Sequence, residues 1–133
     1  MTSREQERGA MSTFLAVIFL SLLMAAGLVV DGGRKIIALR EASHLADNAA
    51  RAGAQAVDLD ILRSTGTIAL DPVQATTSAS DYLVASGHTG EVVVAGDTVT
   101  VTVSLTVDPV LLLVDTFVVT ATETAAAVTE DPG

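Results

Sequence analysis

His44 and His88 are the only histidines in 133 residues, and there is no cysteine. Side chains able to serve as nucleophile, base or soft metal ligand are therefore few. The one grouping with suggestive residue types is Ser43-His44 followed by Asp47. A Ser-His-Asp centre needs its three groups to converge on one reacting atom. On a helix, His44 and Asp47 share a face at i, i+3, but Ser43 and His44 are adjacent and point about 100° apart. That spacing describes a polar helix face rather than a reaction centre. There is no HExxH, no GxGxxG, no GxxxxGK[ST] and no GxSxG, so no metal-hydrolase, phosphate-cradle or nucleophile-elbow signature is present. The expectation is a protein that is not an enzyme, with no cofactor, no metal site and no small-molecule substrate.

Charge narrows the partners. The net charge is -9, and its distribution is uneven. Residues 1–63 hold all 7 basic residues and 7 acids, while residues 64–133 hold the other 9 acids and no Lys or Arg. Nucleic-acid binding is excluded as a function class, because phosphate contacts need Lys and Arg. The scattered acids lack the spacing of a calcium loop and read as a solvated surface.

The element that must position everything else is the run from Met11 to Val30. It holds no charged residue, and its polar side chains are Ser12, Thr13 and Ser21. About twenty such residues at ~1.5 Å rise match the ~30 Å hydrocarbon thickness of a bilayer. A lone segment crosses lipid only as a helix, since every backbone group must bond within it. Arg4, Glu5, Glu7 and Arg8 bound the run on one side, and Asp31, Arg34 and Lys35 on the other. The competing reading is a signal peptide cut near Ala25-Ala26-Gly27. Leu28, Val29 and Val30 extend the apolar run past that point, which favours an uncleaved span.

The remaining elements follow in order. Met1 to Gly9 is a polar tail too short to fold. Gly32-Gly33 form a break or hinge where the helix leaves the bilayer, at roughly 1 kcal/mol per glycine. Residues 34–62 are Ala-rich and proline-free, which predicts a second helical stretch. Its packing stripe is expected along Leu45, Ala49, Ala52, Ala56 and Leu59, with Ala50 on another face. Asp71-Pro72 is an N-cap followed by proline at N1, predicting a helix to about Ser86 with Val73, Thr77, Leu83 and Val84 near its inner side. Glu91–Ala95, Thr98–Val107 and Phe117 to about Val128 read as strands. The middle one alternates Thr/Ser with Val/Leu over ten residues. Val110–Val114 is apolar and fits either a helical turn or a strand. An antiparallel meander covered by the long helix is the simplest arrangement.

Three stretches carry a resemblance. Arg8-Gly9-Ala10 precedes the apolar run, Asp31-Gly32-Gly33-Arg34 follows it, and Leu45-Ala46-Asp47-Asn48-Ala49-Ala50-Arg51-Ala52-Gly53-Ala54 comes after. Together they resemble the N-terminal region of TadE/TadG-like proteins, pilin-like components of the tight-adherence (Flp) pilus system. The resemblance implies a single-pass minor pilin or pseudopilin-like component whose partners are the membrane and other pilus-assembly proteins or pilins. It implies a family-like motif at Asp31, Gly32, Gly33, Arg34, Ala46, Asp47, Ala49 and Ala50, and prepilin-type processing between Gly9 and Ala10. The sequence departs from the pilin pattern at the fifth position after that cut, where Phe14 replaces glutamate. Ser43 stands where many relatives carry glutamine.

The expected fold is α+β: a single N-terminal transmembrane helix continues into a long Ala-rich helix, which packs on a small antiparallel sheet. The expected organisation is a cytoplasmic tail (1–10), a transmembrane helix (11–30), an Ala-rich helix (31–63) and an acidic α+β distal domain (64–133). The expected location is the cytoplasmic membrane, N-terminus inside and distal domain outside. Basic residues flank both ends of the span, so charge alone leaves orientation open. The absence of Lys and Arg after Arg63, together with the pilin-like resemblance, favours export of the distal half. Alternatives are a membrane-tethered scaffold or adhesion domain unrelated to pili, and a secreted acidic binding domain released by signal cleavage. The anchor has a direct test. Leu22→Arg places a charge at the centre of the span, at ~2.5–3.5 kcal/mol of insertion free energy. The variant is expected to leave the membrane fraction, as read by ultracentrifugation of lysed cells. Wild-type protein found in the soluble fraction with an N-terminus near Gly27 would favour signal cleavage.

Overall fold

The computed structural model describes the backbone of residues 3–110 and 115–127, and side chains from residue 9 onward within those ranges. Six elements follow one another: α1 (Ser3–Ala54), α2 (Leu59–Thr65), α3 (Pro72–Ala85), β1 (Gly90–Ala95), β2 (Thr98–Val107) and β3 (Phe117–Ala126). The class is α+β, a long N-terminal apolar helix joined to a three-stranded antiparallel sheet in the order β1-β2-β3.

α1 is 52 residues long, about 78 Å at 1.5 Å per residue. It differs from the expected pattern at three places. Helix begins at Ser3, inside the stretch expected to be an unfolded tail. It also runs unbroken through Gly32-Gly33. A helix already propagating on both sides extends through two glycines at a cost of only about 1 kcal/mol each, because nucleation is the expensive step. Finally, α1 stops at Ala54 rather than near Leu62. Asp58 is the physical reason. Its carboxylate accepts the Asp60 and Ile61 amides at 3.0 Å each and so caps a new helix, α2. The Val57–Leu70 bridge then turns the chain back.

The apolar half of α1 has no packing face. Only 6 % of its most apolar 18-residue window, mean hydropathy 2.6, is buried, so the helix is long and apolar enough to cross a membrane. Its hydroxyls are satisfied on the helix itself. Ser12 and Thr13 donate to the Gly9 carbonyl at 3.0 and 2.9 Å, and Ser21 donates to that of Val17 at 2.8 Å.

The other half of α1 is core. Ala42, Ala46, Ala49 and Ala50 are fully buried against Val99, Val101 and Val103 of β2, Ala121 of β3, and Ala75, Ala79 and Leu83 of α3. The expected stripe needs correcting. Ala49 and Ala56 are buried and Leu45 and Ala52 are partly buried, but Ala56 lies in the turn after the helix. Leu59 belongs to α2 and is 53 % exposed, while Ala50 faces the core. The buried face follows 42, 46, 49, 50 and 53 because α1 wedges between sheet and α3 and is covered over a wider arc than one ridge. Gly53 is where the approach is closest. A Cβ there would lie 2.9 Å from the Ala75 carbonyl oxygen and 3.1 Å from Val99 Cγ1.

α3 begins as expected, with Asp71 accepting the Val73 and Gln74 amides at 2.9 and 3.1 Å. Its inner side is Ala75, Ala79 and Leu83. Val73 and Val84 face out, at 76 % and 67 % exposed, so of the expected inner residues only Leu83 is buried. The period was right but the phase was wrong: small residues, not valines, allow α3 to sit close to α1.

In the sheet, β2 occupies the expected residues, and Asp108-Pro109 follows its end. Ala95 pairs with Thr98 across a two-residue loop. Gly96, at φ 64°, supplies the positive φ that such a hairpin turn places at its first position. Val99, Val101 and Val103 point to the helices. On the solvent face, hydroxyls pair across strands: Thr100 with Thr124 at 2.9 Å, and Thr102 with Thr122 and Ser104 with Thr120 at 3.0 Å. The ambiguous apolar stretch falls mainly on 111–114, and the expected end of the last strand on Val128; both lie outside the described residues.

The packing yields a ranking opposite to the sequence expectation for Ala50. Ala49→Leu and Ala50→Leu should each destabilise the full-length protein by about 1–3 kcal/mol through overpacking. His44→Leu, on the exposed face, should change stability by no more than about 0.5 kcal/mol. Thermal melting in detergent, followed by circular dichroism, checks the order.

Candidate functional site at the helix exit

The Asp31–Arg34 motif is where the apolar half of α1 meets the distal half. Asp31 follows Val30 directly, at the end of the charge-free run. It is 2 % exposed, the one buried charged residue among the described residues. A carboxylate is buried at low cost only when hydrogen-bonded. Here the Val110 amide, in the β2–β3 connection, donates to Asp31 Oδ1 at 3.1 Å. One turn further, Arg34 Nη1 donates to the Asp108 carbonyl at 3.1 Å. Lys35 Nζ lies 5.5 Å from the Phe117 ring centroid, within cation–π range. Three consecutive contacts therefore clamp the start and finish of the β2–β3 connection to the helix exit. Gly32 and Gly33 take no direct part, and a Cβ on either would meet nothing within 4 Å.

The second part of the motif lies on the core half of α1. Ala46, Ala49 and Ala50 form the packed face. Asp47 points away from it and pairs with Arg51, Nε to Oδ1, at 3.0 Å. That pair is a solvent-exposed i, i+4 contact, which contributes little to stability. Ser43 donates to Glu123 Oε1 of β3 in a partly buried contact. Ser43, His44 and Asp47 are thus directed to three different places: β3, solvent and Arg51. The His88 ring Nδ1 sits 2.8 Å from the Ser86 carbonyl. Gly9 and Ala10 are exposed on helical backbone, and the Gly9 carbonyl accepts the Ser12 and Thr13 hydroxyls.

Glu123, Asp108, Val110 and Phe117 were not among the residues singled out from sequence. For Glu123 a signal existed. It shares strand parity with Val119, Ala121 and Ala125, so it had to face the helices and find a donor there. For the other three there was none, because their partners are about seventy or more residues away in the chain.

The geometry defines a class of protein: an α+β domain mounted on the end of a helix whose other half is dressed for an apolar surrounding. Within that class, residues 9–56 match the TadE/G-like Flp pilus-assembly family model, which takes in the apolar run, the Asp31–Arg34 motif and the packed alanine face. Comparison with curated proteins and with solved structures returns no match.

The clamp makes two substitutions move stability in opposite directions. Asp31→Ala removes the carboxylate to which the Val110 amide donates in a part-buried contact, and about 1 kcal/mol should be lost. Gly33→Ala adds a methyl that meets nothing on a continuous helix, so about 0.5–1 kcal/mol should be gained. Melting temperatures of the two purified variants in the same detergent check both signs.

Proposed function

We propose that this protein is a structural, single-pass membrane component of Flp/Tad-type pilus assembly, acting as a minor pilin or pseudopilin-like subunit. The observation that carries this reading is the coincidence of the family match with α1. The matched residues 9–56 are the part of the chain that leaves one half of a helix bare and uses the other half as the core of a domain. A bare apolar helix needs lipid or neighbouring apolar helices around it, and both surroundings exist in a membrane-borne assembly machine. Among the described residues of the domain beyond it, the histidine, serine and acid side chains are dispersed, and on the far face of β2 and β3 hydroxyls pair across the strands.

In this reading residues 11–30 span the cytoplasmic membrane, residues 1–10 lie inside, and the distal half lies outside. The partners are other pilus-assembly components. Prepilin-type processing would fall between Gly9 and Ala10, and would require the first turns of α1 to unwind in the peptidase, since a helical peptide bond is shielded by its own turn.

Two measurements test the proposal. Because the chain has no cysteine, single cysteines report topology cleanly. Ser104→Cys should react with a membrane-impermeant maleimide on intact cells, and Thr2→Cys only after lysis. The reverse pattern would overturn the orientation and the assignment with it. Deleting the gene in its own host should abolish Flp-type fibres, with wild-type protein restoring them. Unchanged fibres would move the reading to a tethered scaffold unrelated to pili.

A further inference from the structure

The foot of the distal half is marked by Val110, whose amide is bonded to Asp31 at the exit of the apolar half of α1, in the β2–β3 connection. The sequence of that connection is Asp108-Pro109-Val110-Leu111-Leu112-Leu113-Val114-Asp115, five apolar residues in a row between two acids. Loops that face water are built from polar and turn-forming residues. Val110, the described beginning of the run, is 61 % exposed although its amide is fixed to Asp31.

Its height along α1 follows from the contacts. Val110 is bonded to the first residue after the charge-free run. Phe117, at the other end of the connection, lies under Lys35. Lys35 is five residues beyond Val30, or about 7 Å along the axis. The headgroup layer on each side of a bilayer is roughly 5–7 Å thick. If Val30 ends the hydrocarbon span, Val110 stands at the acyl–headgroup boundary and Phe117 at the outer edge of the headgroups. Arg34 and Lys35 are then level with the lipid phosphates, where basic side chains are favoured. Val29, Ile36 and Ile37, all exposed, continue the apolar surface of the helix through the same zone.

We propose that the foot of the distal half, at Val110, is immersed in the boundary region of the leaflet from which α1 emerges, so that lipid covers it. Lipid is the occupant because Val110 is bonded to the first residue after the charge-free run, and so stands at the level where the bare helix surface ends. This rests on the reading that residues 11–30 span a bilayer. The consequence is a second point of attachment, which sets the rotation and tilt of the sheet against the membrane instead of leaving the domain free to swing on one helix.

The test uses the full chain in liposomes with single nitroxide labels at Val110→Cys, at Leu22→Cys in mid-span and at Thr102→Cys on the far face of the sheet. Power-saturation measurements compare accessibility to oxygen, which partitions into lipid, and to a water-soluble nickel chelate. The expected result is oxygen-dominated accessibility at Leu22, a shallower but still oxygen-dominated value at Val110, and chelate-dominated accessibility at Thr102. Chelate-dominated accessibility at Val110 with Leu22 still in lipid would overturn the immersed foot and leave the span intact. Low accessibility to both reagents at Val110 would overturn it in favour of a protein cover. Leu22 in water would remove the span itself, and the immersed foot with it.

Discussion

Everything in the distal half depends on how closely α1 can approach its neighbours. The face made by Ala42, Ala46, Ala49, Ala50 and Gly53 has almost no side-chain height, so backbone packs nearly on backbone. At Gly53 the limit is reached: even one added carbon would lie 2.9 Å from the Ala75 carbonyl oxygen. The sequence offers no tryptophan and few aromatics to fill a wider gap. An alanine gains less from burial than a leucine, at ~25 cal/mol per Å² of apolar surface. Compensation comes from close contact over a long interface, since dispersion attraction falls steeply when surfaces separate. This is why α3 also turns Ala75 and Ala79 inward and leaves Val73 and Val84 outside.

A smooth apolar face has little to specify its register, because alanines slide past one another with small energetic differences. The polar contacts supply that register. Ser43 holds Glu123 at mid-helix, while Asp31, Arg34 and Lys35 hold the two ends of the β2–β3 connection at the helix exit. These contacts lie along one direction, from the apolar half of α1 toward its C-terminus, and so align β3 with the helix. The apolar interface gives affinity between the layers; the few directional bonds choose one position among many.

The same arrangement fixes the domain on its helix. An unbroken helix through Gly32-Gly33 transmits the orientation of its apolar half to the domain, which a flexible joint would not do. The clamp at Asp31 buries a carboxylate at the end of the charge-free run. A domain so mounted keeps a fixed face relative to the helix axis.

The periodic signals were legible in the sequence. The twenty-residue charge-free run, the alternation of Thr98–Val107 and the Asp71-Pro72 cap each name their element, because burial period and capping chemistry act over a few residues. So did the α+β class and the meander. What the sequence left undecided were matters settled by partners far along the chain. Ala50 and Ala52 are chemically identical, and only the width of the groove between the sheet and α3 makes Ala50 core and leaves Ala52 partly open. Gly32-Gly33 carries a local preference for breaking a helix, yet helix continues, since propagation from helix on both sides offsets a modest glycine cost. Asp58 could sit on a helix surface or cap a new one, and the Val57–Leu70 pairing decides for the cap. Asp31 reads locally as a charge that ends a membrane span. Its burial was decided by tertiary structure, which brings the Val110 amide, 79 residues away, to its carboxylate.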